Sequence, residues 1–210
     1  PMKKIACVAT FDGRDEALGL MLDSVKDQFD RILIYDNSKS TIDLTDNGKF
    51  AGLLALKDPC YYFTLDDDLI YPPDYVSRMV EAIDYTGRIV TCHGRILQGE
   101  NLNYYNGHRF FPCFGDVMYD GLIDVAGTGV TAFRTDYFNP VQVAVNANQR
   151  MSDLIFSYYA KKEGKKIVML PHAKGWIKDC GINHDDNIHA IESKKQGRLI
   201  QTANEIWKLK

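Results

Sequence analysis

Tyr61-Tyr62-Phe63-Thr64-Leu65-Asp66-Asp67-Asp68 sets a short, mostly apolar run directly before three consecutive carboxylates. The run has the length and the aromatic content of a buried strand. Three acids at its end repel one another, and burial raises their pKa values unless a cation lies beside them. Along an extended segment Asp66 and Asp68 fall on one side and Asp67 on the other. Hard carboxylate oxygens so placed suit Mg²⁺ or Mn²⁺, which keep some waters and complete their shell with substrate phosphates. The plainer reading is a solvated acidic turn ahead of the helix that Pro72-Pro73-Asp74 opens. The neighbouring strand ends weigh against it.

Upstream, Ile5–Thr10 reads as a buried strand followed by Phe11, Asp12 and Arg14. Asp15–Phe29 carries Leu18, Leu22, Val25 and Phe29 three or four apart with acids in its first turn, an amphipathic helix whose charges suit its dipole. Arg31–Tyr35 is a second strand, with Asp36 and Asn37 behind it, and a helix is expected around Phe50–Leu56. Downstream, the Pro72-Pro73 helix runs to about Tyr85, proline being well placed in a first turn. Strand and helix in alternation predict an α/β fold: a mostly parallel sheet with helices on both faces. Ligands then bind beyond the carboxyl ends of the strands, so the polar residues after all three strands converge on one edge.

The second half is less regular. Arg88–Leu97 reads as a strand, Gln98–Asp120 as a long functional loop with short strands, and Asp124–Arg134 as a return to the sheet. Ser152–Glu163 is a helix that Ser152 can cap and Gly164 can end. Lys166–Leu170 is a strand stopped by Pro171, and Ile188–Lys210 an amphipathic helix. No linker or repeat divides the chain, so one domain over 1–210 is expected.

A net charge of −3 gives no basic footprint for a nucleic-acid partner. The five cysteines are odd in number and scattered, with no CxxC pair. That argues against a disulfide framework or a zinc cage and for a reducing compartment. No apolar stretch approaches the ~18 residues of a membrane span, and no signal peptide is visible. A soluble, cytoplasmic protein without an integral membrane segment is expected.

Phe63-Thr64-Leu65-Asp66-Asp67-Asp68 is similar to the Asp-x-Asp motif of glycosyltransferases with the A-type (GT-A) nucleotide-diphospho-sugar transferase fold. Val8-Ala9-Thr10-Phe11 looks like their first strand, and Ser24 through Gln28 resembles the Ser-x-x-x-Gln end of their first helix. Ile34-Tyr35-Asp36-Asn37-Ser38 looks like the second-strand Asp segment that holds the base. Gly127-Thr128-Gly129 through Phe133-Arg134 is similar to the glycine-containing segment under the donor sugar. Ser152-Asp153-Leu154, its helix and Lys166–Pro171 resemble the segment carrying the acceptor-side acid. In order and spacing together they resemble a compact glycosyltransferase domain encoded by large DNA viruses of green algae.

The resemblance implies a Rossmann-like nucleotide-sugar half over about 1–100, an acceptor and sugar half over about 101–190, and a C-terminal helix over 191–210. It implies metal-dependent transfer, with Mn²⁺ or Mg²⁺, from a UDP-sugar to a hydroxyl of a glycan or other acceptor. A hexose or deoxyhexose is the expected sugar, and a viral origin would place the enzyme in the host cytoplasm. Thr10, Phe11 and Asp36 would line the uridine pocket, Asp12 and Asn37 beside them, with Arg14 near the phosphates. Asp66 would reach the ribose or the metal, with Asp67 also on the donor, and Asp68 would bind the metal. Gly127 and Thr128 would lie under the sugar, and Asp153 would act as general base. His184 would be a further metal or phosphate ligand, with His189 and His172 weaker candidates. Tyr104, Tyr105, His108, Phe110 and Phe111 either stack an acceptor sugar or pack their own loop. Two positions depart from the family pattern: Ser152 stands where Glu is usual, and Thr128 where smaller residues are commoner.

Two other classes compete. A nucleotidyltransferase would carry a Gly-x-Gly-x-Arg phosphate loop after the first strand, and Thr10-Phe11-Asp12-Gly13-Arg14 has one glycine. A non-catalytic nucleotide-sugar or carbohydrate-binding module would keep the fold without turnover.

Overall fold

The fold is known from a computed structural model, which describes residues 1–98, 108–145, 150–182, 205 and 208. Its elements are β1 (Lys3–Thr10), α1 (Asp15–Val25), β2 (Arg31–Asp36), a 3-10 helix (Thr45–Ala55), β3 (Cys60–Asp66) and β4 (Leu69–Ile70). Then follow α2 (Tyr75–Thr86), β5 (Ile89–Thr91), β6 (Gly94–Leu97), β7 (His108–Phe111), β8 (Leu122–Ile123) and β9 (Val125–Ala126). The last are β10 (Val130–Arg134), α3 (Val141–Val145), α4 (Ser152–Lys162), β11 (Ile167–Met169) and β12 (Lys178–Asp179).

Seven strands form the main sheet in the order β2-β1-β3-β10-β5-β11-β8. β1 runs parallel to β2 and β3, and β11 parallel to β5, while β10 and β8 run against their neighbours. Both faces are covered, which is why Ile5, Ala6, Cys7 and Val8 are all buried in succession. On one face Ala6, Val8, Phe63 and Leu65 pack with Met21 and Val25 of α1 and Met79 and Ile83 of α2. On the other, Cys7, Tyr62 and Phe133 meet Phe50, Leu53, Val143 and Phe156. Phe50 stacks on Phe156 at 5.4 Å and Phe133 lies 5.7 Å from the same ring. Such pairs contribute roughly 0.5–1.5 kcal/mol each beyond their buried area.

Four details differ from the sequence reading. The first helix ends at Val25 instead of Phe29; Phe29 packs edge-on against Phe63 at 4.9 Å, and Gln28 serves another helix. The helix expected around Phe50–Leu56 is a 3-10 helix that starts at Thr45. It lies hard against the sheet: a Cβ on Gly48 would stand 2.6 Å from the Tyr35 ring, and one on Gly52 2.6 Å from the Tyr62 hydroxyl. Arg88–Leu97 and Asp124–Arg134 are each two strands. β5 and β10 belong to the main sheet, while β6 and β9 leave it to pair with each other, with β7 on the far side of β6.

Ser152 is also not the cap of its helix. Met151 holds that position with φ 77°, and Ser152, the first helical residue, gives its amide to Asp46 Oδ2 at 2.6 Å. Gly164, at φ +67°, follows the helix as expected. No helix among the described residues is long and apolar enough to cross a membrane.

Candidate functional site

Strand register brings the polar ends together. Thr10 pairs with Asp36 and Ala9 with Asp66, so the carboxyl ends of β1, β2 and β3 share one edge. Gly13, with φ +85°, turns the chain back and aims Arg14 at the acid triplet. Its guanidinium grips Asp67 with both prongs, at 2.9 and 2.5 Å, and reaches Asp68 Oδ2 at 2.8 Å. Thr10 Oγ1 donates to Asp67 at 2.8 Å. Asp67 is only 5% exposed, and Arg14, also buried, lies over the exposed Phe11 ring at 5.3 Å. Asp67 thus lies on the opposite side from its two neighbours, as alternation predicts; that side is the inward one, and Arg14 neutralises it. The guanidinium expected near the phosphates is committed to these two carboxylates.

Asp66 and Asp68 face the opening, with side chains 40% and 39% exposed. Gly129 makes room for Asp66: a Cβ there would collide with its carboxylate. Lys49 Nζ bonds Asp66 Oδ1 from the other side. Burial, helped by the charge of Asp68, outweighs the pull of Lys49 and raises the Asp66 carboxyl to about 6. Lys49 is held protonated against its own burial by Asp66 and Asp46. Beneath them the Tyr71 hydroxyl accepts the Asp66 amide at 2.9 Å and donates to Gly129 O at 2.6 Å.

The Ser24 and Gln28 pair has a structural task. Ser24 Oγ accepts the Tyr71 amide at 3.2 Å; Gln28 donates to Pro72 O at 3.0 Å and accepts the Val76 amide at 3.1 Å. This clamps α1 to the segment after the triplet and steadies Tyr71.

On β2, Asp36 accepts the Ser38 amide at 3.0 Å and pairs with Lys39 at 2.7 Å, which lowers its pKa. The exposed Asp12 donates its amide to Ser38 Oγ at 2.6 Å. Asn37 is engaged by main chain throughout: its amide donates to Thr10 O and Thr45 O and accepts Leu44 N. It shapes the loop beside the carboxyl ends of β1 and β2.

Across the site, Asp153 Oδ1 accepts both the amide and the hydroxyl of Thr128, at 2.8 and 2.7 Å, and Thr128 Oγ1 also meets Ser152 Oγ at 2.6 Å. Burial alone would raise the Asp153 pKa; the Thr128 bonds and the nearby His93 and Lys49 bring it below the usual carboxylate range. Thr128, where the family pattern has smaller residues, is therefore the residue that orients this acid. Gly127 fits under His93, with whose ring a Cβ at that position would collide. His93 Nδ1 accepts the Cys113 amide at 3.3 Å, and burial pushes the ring down to about 4.

Of the aromatic candidates, Phe111 is core, stacked on Tyr119 at 4.8 Å, while Phe110 is exposed and edge-on to His93 at 5.1 Å. His108 begins β7. The His172 ring is buried with both nitrogens on carbonyls, Leu170 O at 2.8 Å and Pro112 O at 3.4 Å, so it is a structural residue. Tyr104, Tyr105, His184 and His189 lie outside the described residues, as does most of the expected C-terminal helix. Sequence reasoning missed Lys49, Asp46, His93 and Tyr71. The one available signal was a lysine set directly before the apolar Phe50.

A largely parallel sheet covered on both faces, with its polar strand ends gathered at one edge, places the chain in the GT-A type of α/β fold. Residues 46–148, just under half of the chain, match the family described as "Glycosyl transferase family 2". That match takes in Lys49, the acid triplet and Gly127–Gly129, and it supports a glycosyltransferase-type nucleotide-sugar enzyme. Among solved structures, A197 from STIV is similar at 16% identity over 84% of each chain, with a TM-score of 0.52. At that identity the likeness shows the fold alone. The inositol-1-phosphate CTP transferase from T. maritima matches 97% of this chain and 77% of its own at 10% identity, and its TM-score of 0.41 is too slight to bear on function. No curated protein sequence matches the chain significantly.

Proposed function

We propose that the chain is a metal-dependent glycosyltransferase moving a hexose or deoxyhexose from a UDP-sugar to a hydroxyl of a glycan or other acceptor. The observation that carries this is the pair of half-exposed carboxylates, Asp66 and Asp68, on the same edge as Asp36, with an oriented Asp153 close enough for its charge to act on Asp66. The donor set fits Mn²⁺ or Mg²⁺. Both side chains offer hard oxygens, and their mutual repulsion is what a divalent cation relieves. Among the described residues no group of three or more His, Cys, Asp or Glu side chains could by itself hold a metal ion, so the proposed ion would have to take part of its shell from substrate phosphates. When bound, such an ion would offset the charge of the departing diphosphate.

The protein's own groups do the rest. Asp36 accepts the uracil N3–H, beside Phe11 and with Asp12 close by. Gly127 lies near the sugar in this reading, with the space of its missing Cβ taken up by the His93 ring. Asp153, ionised and fixed by Thr128, takes the proton of the attacking hydroxyl. His184 would serve as a further metal or phosphate ligand. Cys180, four residues before it, donates its amide to Asp68 O at 2.9 Å, and β12 pairs with β4 just after the triplet.

Calorimetric titration of UDP with and without Mn²⁺, beside a screen of UDP-sugars for donor hydrolysis, tests the reading. Metal-dependent binding, release of UDP, and loss of both in Asp68→Ala are expected. Metal-independent binding or a fully active Asp68→Ala protein would refute the metal role. Pyrophosphate exchange would identify a nucleotidyltransferase, and binding without product a binding module. Asp153→Asn should lower transfer by ~10²–10⁴ with UDP affinity nearly intact if the anomeric centre inverts. Inversion, read by NMR of the product, with a fully active Asp153→Asn enzyme would remove Asp153 as the base.

A further inference from the structure

Lys49 carries a charge into a place where the fold asks for none. Its side chain is 6% exposed, and its neighbours Phe50 and Leu53 are buried core. An ammonium removed from water costs several kcal/mol unless it is well paired. Its pairing links the two sides of the site. Nζ bonds Asp66 Oδ1, and the charges of Asp46 and Asp153 act on the same ammonium. Asp46 Oδ2 accepts the Ser152 amide at 2.6 Å, so it supplies the missing cap of α4. Ser152 Oγ meets Thr128 Oγ1, Thr128 holds Asp153, and Gly129, next in the chain, is the surface on which Asp66 rests. The contacts form a ring that begins and ends at the 3-10 helix.

We propose that Lys49 is a positioning residue that holds the donor-side carboxylate Asp66 in register with the acceptor-side acid Asp153. The inference rests on the glycosyltransferase reading of those two acids. Lys49, 6% exposed, acts through Asp66 directly, while Asp46, on the same 3-10 helix, holds the start of α4. Removing Lys49 leaves the uridine edge at Thr10 and Asp36 in place, because those residues sit on other strands with other partners. What changes is the alignment of donor and acceptor acids. An acceptor hydroxyl needs that alignment more than water does, so donor hydrolysis should gain on transfer.

The test compares the parent with Lys49→Met and Lys49→Arg. In the protein without substrate, amide hydrogen exchange at Ser152 and Thr128 should be at least about tenfold faster in Lys49→Met, whether or not the protein turns over. With UDP-sugar, Mn²⁺ and acceptor, the ratio of transfer to hydrolysis should fall in the order parent, Lys49→Arg, Lys49→Met. The loss in transfer should reach about 10²-fold, the scale of an ångström's misplacement, with UDP affinity changing less than about tenfold. Where Lys49→Met does not fold, Lys49→Arg carries the same comparison, because it keeps the charge and alters the reach. Unchanged exchange together with an unchanged ratio would overturn the proposal, as would a lower Tm and weaker UDP binding at a constant ratio. A parent that releases no UDP from any donor refutes the glycosyltransferase reading instead, and the exchange measurement still decides whether Lys49 ties the two segments.

Discussion

Gly129→Ala is the smallest change that should disable the proposed metal edge. A Cβ at Gly129 would stand 2.9 Å from Asp66 Oδ1 and nearer still to Oδ2 and Cγ. Restoring ordinary contact moves the carboxylate by on the order of 1 Å. It has little freedom to yield inward, because Tyr71 fixes the Asp66 amide and the Gly129 carbonyl together and Lys49 occupies the opposite side. The carboxylate must swing outward and loosen its hold on Lys49. Overpacking of this kind costs about 1–3 kcal/mol. The partly broken Lys49 pair adds to it, discounted because the Asp66 side chain is 40% exposed. Urea denaturation followed by circular dichroism should therefore show a loss of about 1–3 kcal/mol, while a displaced Asp66 should lower turnover by about 10²-fold. Metal-dependent UDP binding, measured by calorimetry, should weaken alongside. Parent-like stability together with parent-like UDP–Mn²⁺ binding would show that Asp66 does not rest on Gly129 as described.

Asp36→Ala should weaken UDP binding by roughly ten- to a hundredfold, and GDP should compete poorly with the parent protein; unchanged UDP affinity in the variant would remove Asp36 from the base pocket. His93, with an ordinary value near 6.5, is pushed down to about 4 by burial. Between those values the unfolded chain binds a proton that the folded one does not, so this group's contribution to stability rises with pH across the window. His93→Gln should accordingly lose less stability than the parent on going from pH 6.5 to 4, and identical pH profiles would contradict that. Gly19, exposed on α1 with nothing within 4 Å of a Cβ, should accept alanine with a gain of about 0.5–1 kcal/mol in urea denaturation.

The first half was legible because its signals are local. Ile5–Val8 and Tyr62–Leu65 are buried on both faces and read as apolar runs; in the second half, Gly164 has the left-handed conformation that its expected place after a helix requires. The two broken strands were not. Arg88–Leu97 reads as one extended segment because nothing at Cys92-His93 interrupts its pattern, yet the chain leaves the main sheet there. What forces the departure is a contact with the distant Gly127, whose amide donates to His93 O at 2.7 Å. The cap of α4 failed in the same way. Ser152 has the right chemistry for a cap, but Asp46 supplies the carboxylate from another element. Lys49 was hidden by its type, since lysine is almost never buried unless paired, and its partner stands seventeen residues along the chain.

The acid triplet shows what spacing can and cannot carry. Alternation separates Asp67 from its neighbours, and the structure buries Asp67 against Arg14 and Thr10 while Asp66 and Asp68 remain open. It does not separate Asp66 from Asp68, which look equivalent in an extended segment. Their difference comes from what approaches them. Lys49, Gly129 and Tyr71 confine Asp66 on three sides, whereas Asp68 shares only one prong of Arg14 and lends its carbonyl to Cys180. A ligand bridging the pair therefore meets one carboxylate fixed in place and one with more freedom to adjust. If both are ligands, substitution at Asp66 should disturb the surrounding fold as well as binding, and substitution at Asp68 should act mainly on binding. The stability of Asp66→Asn and Asp68→Asn beside their metal affinities would show whether the asymmetry extends to function.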